Sequence, residues 1–499
     1  MSNRRIGALL SYLNIFIQAI LGFVYVPLLL YYMGKHEYGL YQLMGSVVAY
    51  LAVMDFGLST TTVRFYSKYK ALKDTIKMEN LLALMQRIYA GIICLMLLVG
   101  VAIYNFLDVI FANGLTAAEL VQAKHIFLLL MVNVGVTLFG LLYQSVINSY
   151  ERFIFLRGLS TIQLIMQPLA VIAVMQQWPT ALAMVAVLTV MNLIMVMIKI
   201  WYAYSRLKVK IVFHYFDKDI FHQAKILALA VFGVAIADQI FWKTNQIILG
   251  SMWGTAEVAV YSIASLIYMN YMALSQAISG VFLPHVTEMI TNRATNKDLS
   301  DLMIKIGRLQ TYLLGLVFGA FIVFGRQFIS LWAGDSFLDA YIITIIILIP
   351  FTIDLIQNIG LAIMQAKNVY GFRARVYGLL ALINIGAVIP MAYYGRGIGA
   401  ALASGIVLFI VNAICMNWYY AYQLHLDIKR FWKSVTMIIL STAVLTGVGC
   451  IVVNLVPIVS WQGLIVGIVL FTIILLGLYY LLSFNAYEKK IFRLSNVKK

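Results

Sequence analysis

Ionisable side chains inside long apolar stretches are the residues of this chain best placed to do chemistry. The acidic ones are Asp55, Asp238 and Asp354, and Lys243 is a basic residue that lies well inside such a stretch. A charge at bilayer depth costs several kcal/mol unless it faces protein or water, so each is a functional candidate. The three carboxylates are candidates for binding a coupling cation. For Asp55, pairing with a basic group from another helix is an equally open alternative.

Lys243 belongs to a predicted helix whose middle is unusually polar. Trp242, Asn245 and Gln246 lie next to it in the sequence. Asp238 is offset from Lys243 by about 140° around an ideal helix, so these two charges are not expected to neutralise each other directly. This pattern predicts that Lys243, Trp242 and Asn245 line a water-accessible cavity.

Three arginines near the predicted cytoplasmic ends of helices complete the set of candidates: Arg64, Arg157 and Arg375. For Arg64 and Arg375, and for the neighbouring Arg373, a simpler interpretation is that the side chain snorkels to the interface. There its charge meets water while its methylene groups remain in the apolar region.

The elements that must position these side chains are membrane-spanning helices. Of the 499 residues, 63% are hydrophobic and 11% are charged, whereas a typical soluble domain is about half apolar and about a quarter charged. This composition excludes a water-soluble fold and predicts an all-α integral membrane protein, whose first apolar run is a span and not a removable signal peptide. Windows of about 19 residues predict about fourteen spans, near 7–32, 39–62, 82–106, 125–149, 155–176, 179–203, 226–250, 257–284, 308–325, 340–366, 376–394, 397–421, 435–456 and 461–483.

Lysines and arginines are concentrated on one side of these spans. With the N-terminus taken as cytoplasmic, the inside segments hold 29 of the 36 basic residues and the outside segments hold 4. This positive-inside distribution predicts that both termini are cytoplasmic. The net charge of +17 is spread over short cytoplasmic segments, where it can meet anionic lipid head groups. Membrane lipids are therefore expected partners, and nucleic acid is not.

An offset of 220 residues relates the two halves of the chain. The turns Gly34–Tyr41 and Gly254–Tyr261 both read G-x-x-E-x-x-x-Y, and Glu37 and Glu257 in these turns are expected to act structurally, at the starts of helices. The repeat predicts two six-helix lobes of the same orientation, with a substrate cavity between them and alternating access by rocking of the lobes. The predicted boundaries are 1–205 for the N-terminal lobe, 206–225 for a cytoplasmic linker, 226–424 for the C-terminal lobe, and 425–499 for helices 13 and 14 with a cytoplasmic tail.

Motifs for catalysis, metals or cofactors are missing from the sequence or lie in an unsuitable place. Cys94, Cys415 and Cys450 fall in apolar runs without metal-ligand spacing, so we interpret them as packing residues. Asp217 and Asp219 form a D-x-D, the spacing by which some glycosyltransferases hold a metal-bound nucleotide sugar, but they lie in the basic linker. No Gly-rich phosphate loop follows a strand. We expect neither an enzyme nor a resident cofactor.

Three short segments near the N-terminus carry a family resemblance. Leu28–Gly34 reads LLLYYMG, Glu37–Tyr41 reads EYGLY, and the run from Asp55 to Arg64 begins with DFG. Together they resemble the bacterial oligosaccharide flippases of the polysaccharide transporter family, the O-antigen (Wzx-type) flippases. The fourteen spans and the two six-helix halves extend this resemblance over essentially the whole chain. The motifs are moderately specific for the family and say little about the sugar.

The resemblance implies the fold that multidrug and toxic-compound extruders share with the lipid II flippase. It also implies a substrate, an oligosaccharide repeat unit on undecaprenyl diphosphate, which is flipped to the outer leaflet of the bacterial inner membrane for surface polysaccharide biosynthesis. A diphosphate needs cationic partners, and a sugar needs a polar and aromatic lining. The candidates for binding this head group are then Lys243, Arg64, Arg157, Arg375, Trp242 and Asn245. A polysaccharide polymerase and a chain-length regulator are the implied protein partners.

Three alternatives remain open. A cation-coupled multidrug exporter of the same superfamily would gather acidic residues in one lobe and typically has twelve spans, whereas the acids here are scattered over helices two, seven and ten. A lipid II flippase differs from the oligosaccharide flippases, as an interpretation of this sequence, only in its looser match to the motifs. A membrane enzyme such as a polymerase or glycosyltransferase would present a large external loop, and the longest one here, roughly 107–124, is short and contains no histidine.

Overall fold

Helices make up almost all of the structure, which is a computed structural model that describes residues 3–369, 371–456, 458–485 and 488–489. Within those ranges the backbone forms helices and turns, and no strand. The α-helices are α1 (Asn3–Ala52), α2 (Leu58–Ala71), α3 (Thr75–Ile110), α4 (Ala117–Ser149), α5 (Phe153–Met175), α6 (Ala181–Ser205), α7 (Lys218–Trp253), α8 (Thr255–Ser279), α9 (Leu283–Thr291), α10 (Asn296–Ala333), α11 (Asp339–Ile356), α12 (Asn358–Ala366), α13 (Gly371–Phe409), α14 (Met416–Tyr422), α15 (Ile428–Leu455) and α16 (Trp461–Leu478). A π-helical turn, Ile410–Cys415, joins α13 to α14.

Eleven stretches among the described residues are long and apolar enough to cross a membrane. Two of them run on through a kink and so join neighbouring predicted spans. Gly371–Tyr422 contains 376–394 and 397–421, and Leu21–Ala71 contains 39–62 and the second half of 7–32. The stretches do not include α7, which covers the predicted span 226–250. The prediction of an all-α membrane protein with about fourteen helices is confirmed.

The chain forms two compact units, Met1–Ala259 and Val260–Lys499. The first unit contains α1 to α7, the second contains α9 to α16, and α8 crosses the boundary between them. The boundaries proposed from the repeat, at 205, 225 and 424, stay a prediction.

The two turns that the repeat relates share an unusual backbone conformation. Gly34 has a φ of 73° and Gly254 a φ of 82°, values in the left-handed region that glycine adopts at little cost. At Gly254 a side chain is also excluded by space, because a Cβ would come within 2.5 Å of the Gly114 carbonyl oxygen. The glycine that opens each G-x-x-E turn is therefore required by the backbone of the turn.

Glu37 caps the start of a helix, although not of its own. Its carboxylate accepts a hydrogen bond of 2.7 Å from the backbone N–H of Ala181, at the start of α6. It accepts two further bonds, of 2.8 and 2.9 Å, from the side-chain amide of Gln122 on α4. A carboxylate at this position satisfies a free N–H and complements the helix dipole, so Glu37 holds α1, α4 and α6 together.

The predicted linker packs against the first turns of α3. The side-chain oxygen of Asn80, which is 1% exposed, accepts hydrogen bonds of 3.0 Å from the backbone N–H groups of His214 and Tyr215. The Arg87 guanidinium lies 3.6 Å from the centre of the Phe213 ring. Because these contacts fix 213–215 on α3, the chain enters α7 from a defined point.

Helices α15 and α16 pack against α10 in the second unit. An ion pair between α10 and Glu488 holds the segment after α16 against α10. Arg308 on α10 is buried, and its guanidinium donates hydrogen bonds of 2.8 and 2.7 Å to the two carboxylate oxygens of Glu488. It also donates to the Ser483 carbonyl at 2.7 Å. Burial acts to raise the pKa of Glu488, but the bonds from Arg308 and from a backbone N–H outweigh it, so this pKa lies below its ordinary value.

Candidate functional site

A groove with polar and apolar side chains in its lining lies between α1 and α5 in the first unit. Its volume is about 570 Å³, within the range of about 300–1,000 Å³ that is usual for small-molecule sites. Leu21, Gly22, Leu164 and Pro168 form its apolar lining. Its polar lining consists of Asn14, Gln18, Tyr25, Arg157, Ser160, Gln163 and Gln167. Among these described residues arginine is the one charged type, so the groove favours an anionic or a neutral polar ligand.

Asn14 fixes α1 beside α5 at one end of the groove. Its amide N–H donates to the Arg157 carbonyl at 3.2 Å, and its amide oxygen accepts from the Thr161 hydroxyl at 2.6 Å. These bonds use the backbone of Arg157 and leave its guanidinium exposed at the groove. Within the described part of the chain that guanidinium makes no hydrogen bond or ion pair, so it can bind an anion.

Two further features of the groove leave hydrogen-bonding capacity unused. The hydroxyl of Tyr25 is buried and has no hydrogen-bond partner among the described residues, and such an unpaired polar group costs about 1–3 kcal/mol. Pro168 has no N–H, so the carbonyl of Leu164 one turn earlier lacks its usual helical donor. Both groups can be satisfied by a ligand that carries hydroxyl groups.

The polar residues of the groove follow a helical spacing that the sequence analysis did not use. Asn14 and Gln18 lie one turn apart on α1, and Ser160, Gln163 and Gln167 lie on one face of α5. Residues three or four apart share a helix face. Amide and hydroxyl side chains at this spacing in apolar helices mark the face that lines the groove. Of the residues in this lining, only Arg157 was predicted from the sequence, because of its charge.

Lys243 lies on α7, within the first unit. It is partly buried, and its ammonium makes no hydrogen bond or ion pair with any residue that the structure describes. The polar residues around it face the second half of α1. Tyr50 bonds Thr244 at 2.6 Å and the Gln239 carbonyl at 3.2 Å, and Ser46 donates to the side chain of Gln246.

The other predicted head-group residues lie in different surroundings. Asn245 is 3% exposed, and the Trp242 ring contacts Phe241 edge to face at 4.9 Å between centroids. Arg64 is exposed on α2, with its guanidinium 5.6 Å from the centre of its neighbour's ring, Phe65. Arg375 lies on α13 in the second unit. It is exposed, and its Nε donates to a carbonyl of its own helix at 3.3 Å. Of these candidates, Arg157 is the one that lines the groove.

The three carboxylates predicted to bind a cation differ in how their charge is balanced. Asp55 accepts hydrogen bonds from the Tyr89 hydroxyl at 2.7 Å and the Ser59 hydroxyl at 2.8 Å, and it pairs with no basic residue in the described ranges. Asp354 is buried and forms an ion pair of 3.0 Å with Arg373. Asp238 is exposed on α7.

Metal-ligating residues do not gather anywhere in the described ranges. No group of three or more histidine, cysteine, aspartate or glutamate side chains there is arranged to hold a metal ion. In the linker, the Asp217 carboxylate accepts a hydrogen bond of 3.0 Å from the backbone N–H of Ile220. Asp217 of the D-x-D therefore caps the start of α7, so its carboxylate has a structural role there.

A family model described as "Polysaccharide biosynthesis protein" matches residues 6–290, which is more than half of the chain. No curated protein matches the chain at a significant level.

Several solved structures share the fold. A lipid II flippase MurJ in an inward closed conformation has a TM-score of 0.73 and 16% identity, over 95% of this chain and 99% of that chain. An inward-facing multidrug resistance MATE family transporter of the MOP superfamily has a TM-score of 0.63 and 11% identity, over 80% and 94%. The MATE multidrug transporter DinF-BH has a TM-score of 0.53 and 13% identity, over 83% and 95%. At such identities the likeness shows the fold of these transporters and flippases.

Proposed function

Because the chain belongs to the family of polysaccharide biosynthesis proteins, we propose that it flips lipid-linked oligosaccharides across a membrane. The proposed substrate is a repeat unit on undecaprenyl diphosphate. The direction is from the cytoplasmic to the outer leaflet of the bacterial inner membrane, with both termini in the cytoplasm. The product would serve surface polysaccharide biosynthesis, with a polymerase and a chain-length regulator as partners.

The observation that carries this proposal is the groove between α1 and α5. It combines an arginine that has no partner among the described residues with neutral amide and hydroxyl side chains. Arginine forms charge-assisted hydrogen bonds with phosphate oxygens, and amides both donate to and accept from sugar hydroxyls. A diphosphate joined to a sugar needs this combination.

Lys243 supplies a second cation for the head group in this proposal. A lysine ammonium in an apolar helix is stabilised when an anion binds beside it, and Lys243 has no anionic partner in the described part of the chain. Arg64 and Arg375 are the further phosphate contacts that we propose, with Trp242 and Asn245 as contacts for the sugar. The cycle is one of alternating access, in which the bound head group is open to one side of the membrane at a time.

Asp55 is the carboxylate that we favour for coupling to a cation. Its hydrogen bonds come from two neutral hydroxyls, so within the described residues its charge is not already neutralised by arginine or lysine, as the charge of Asp354 is by Arg373. Asp238 is a second candidate, because it is exposed.

The competing functions of the same fold make different demands on the groove. An exporter of cationic drugs needs acidic side chains where the drug binds, and the described lining of the groove has none. A lipid II flippase is the second candidate, favoured by the TM-score of 0.73 to MurJ. A lipid II flippase needs the same cationic contacts for the diphosphate, and its substrate differs in the attached sugar.

The experiment is complementation in a bacterium that lacks its own O-antigen flippase, scored for surface polysaccharide and for resistance to cationic dyes. We expect restored polysaccharide with unchanged dye resistance. Dye resistance without polysaccharide would assign the protein to drug export. Rescue of a strain depleted of its lipid II flippase, without rescue of polysaccharide, would assign it to lipid II.

A matched pair of lysine variants tests the proposed role of Lys243 in the same assay. Lys243→Met should abolish transport, because the ammonium is proposed to contact the head group. Lys199→Met is the control, since Lys199 also lies within a span but donates to Gln144 at 2.9 Å. We expect it to keep transport at an equal level of protein in the membrane. Normal transport by Lys243→Met would remove this residue from the site.

A further inference from the structure

The α1–α5 groove has a charged end and a neutral end. Asn14, well inside α1, and Arg157, near the start of α5, lie together, and the lining of the groove extends along the two helices from there to Tyr25 and Pro168. Eleven residues of α-helix at 1.5 Å each place the two ends of the groove about 16 Å apart. A ligand that fills the groove therefore places its anionic part beside Arg157 and a neutral polar part beyond it.

The size of the groove limits how much of a lipid-linked oligosaccharide it can hold. A volume of about 570 Å³ suits a drug-sized molecule, which is far smaller than a repeat unit with its long prenyl chain. The described lining carries one cationic side chain and several neutral ones. The part of the substrate with this composition is a phosphate with the sugar directly attached to it.

We infer that the groove binds the phosphate and the first sugar of the lipid-linked oligosaccharide, an inference that rests on the proposed function. Arg157 contacts the phosphate. Gln18, Gln163 and Gln167 contact the hydroxyl groups of the sugar, and the Tyr25 hydroxyl gains the hydrogen bond that it lacks within the described chain. These amides then determine which first sugar is accepted, because a sugar that fits the groove but leaves an amide unpaired binds less tightly.

Gly22 is a position where a larger side chain can block the groove without clashing with the protein. It lines the groove, and a Cβ built there meets no atom within 4 Å. A Gly22→Leu side chain would therefore occupy space that the ligand needs. Gly91→Leu is a matched control, because Gly91 is exposed on α3 and a Cβ there also meets nothing within 4 Å.

The first test uses the complementation strain and the full-length chain, with surface polysaccharide as the readout. We expect Gly22→Leu to abolish surface polysaccharide and to cause lipid-linked repeat units to accumulate, whereas Gly91→Leu supports normal levels. Normal polysaccharide from Gly22→Leu, in a strain that the unchanged protein rescues, would overturn the groove as a site and leave the flippase function standing. Failure of the unchanged protein to rescue would instead reject the proposed function.

The second test separates phosphate binding from sugar binding. Purified protein in nanodiscs is titrated with undecaprenyl diphosphate and with the lipid-linked repeat unit extracted from the complementation strain. We expect Arg157→Gln to weaken both by about 10- to 100-fold, the equivalent of one hydrogen bond to a charged group. The double variant Gln163→Leu and Gln167→Leu should weaken only the glycosylated probe, by about tenfold. Equal weakening of both probes by the double variant would overturn the assignment of the sugar to the amides.

An anionic phospholipid could present a similar phosphate to Arg157, and the nanodisc composition tests for it. Titrations are repeated in discs with phosphatidylglycerol and in discs with phosphatidylcholine alone. We expect the affinity for the lipid-linked repeat unit to be the same in both. If phosphatidylglycerol competes in the unchanged protein but not in Gly22→Leu, the groove is a phospholipid site and the inference is wrong.

Discussion

The ion pair between Asp354 and Arg373 provides the sharpest test of how charge is held inside the second unit. Their side chains are 8% and 13% exposed, and Arg373 Nη2 lies 3.0 Å from Asp354 Oδ2. The same Nη2 donates to the Tyr377 hydroxyl at 3.1 Å, which donates in turn to Asn412 at 2.8 Å. Removing one partner leaves the other charge buried and uncompensated, at a cost of about 3–5 kcal/mol.

The perturbation is a double-mutant cycle of Asp354→Leu and Arg373→Met. Each single variant should lose about 3–5 kcal/mol. For a unit of this size that corresponds to a fall in Tm of roughly 6–20 °C. The double variant should recover most of the loss, because two apolar side chains need no partner. Arg375→Met is the matched control, since Arg375 is exposed, and it should change stability by less than about 1 kcal/mol.

The assay is thermal unfolding of the purified protein in detergent, followed by transport in the complementation strain. If the double variant is as unstable as the two single losses combined, the pair contributes no coupling energy and the reasoning is refuted. A cation-binding role of Asp354, which was predicted from the sequence, gives a different pattern. In that case Asp354→Asn would keep its Tm but lose transport, and Arg373→Met would keep both.

Two structural predictions concern single contacts. Glu37→Ala should lower stability by about 1.5–3 kcal/mol, because the N–H of Ala181 and the amide of Gln122 lose their acceptor; a Tm equal to that of the unchanged protein would argue against the cap. For Glu488, the lowered pKa means that the stabilisation by Arg308 is complete above the ordinary glutamate pKa of about 4.3 and is lost as pH falls through the lower, folded value. The Tm of the unchanged protein should therefore fall between pH 7 and pH 3 by more than the Tm of Glu488→Gln does. Parallel curves of Tm against pH for the two proteins would contradict the pairing of Glu488 with Arg308.

The amino-acid sequence determined the class of protein, an all-α membrane protein with about fourteen helices. Apolar runs of membrane-crossing length can only be satisfied as helices in a bilayer, where every backbone polar group must bond within its own segment, so composition alone predicted the all-α fold. The 220-residue offset also related Gly34 to Gly254, and in the structure both glycines have a left-handed backbone. These features are local, and local patterns are readable without the fold.

Only the tertiary structure decided which polar side chains meet. The sequence identified Glu37 as a structural carboxylate, but its partner Ala181 lies at the start of α6 and could not be inferred from the spacing in its own helix. It identified Asp354 as a charge inside an apolar stretch, and only the packing of the helices showed that Arg373 pairs with it. It identified Arg157 through its charge, yet the neutral side chains around it belong to two helices that are separated by more than a hundred residues. Which faces of apolar helices pack together depends on side-chain shape along the whole contact, and hydropathy does not encode that shape.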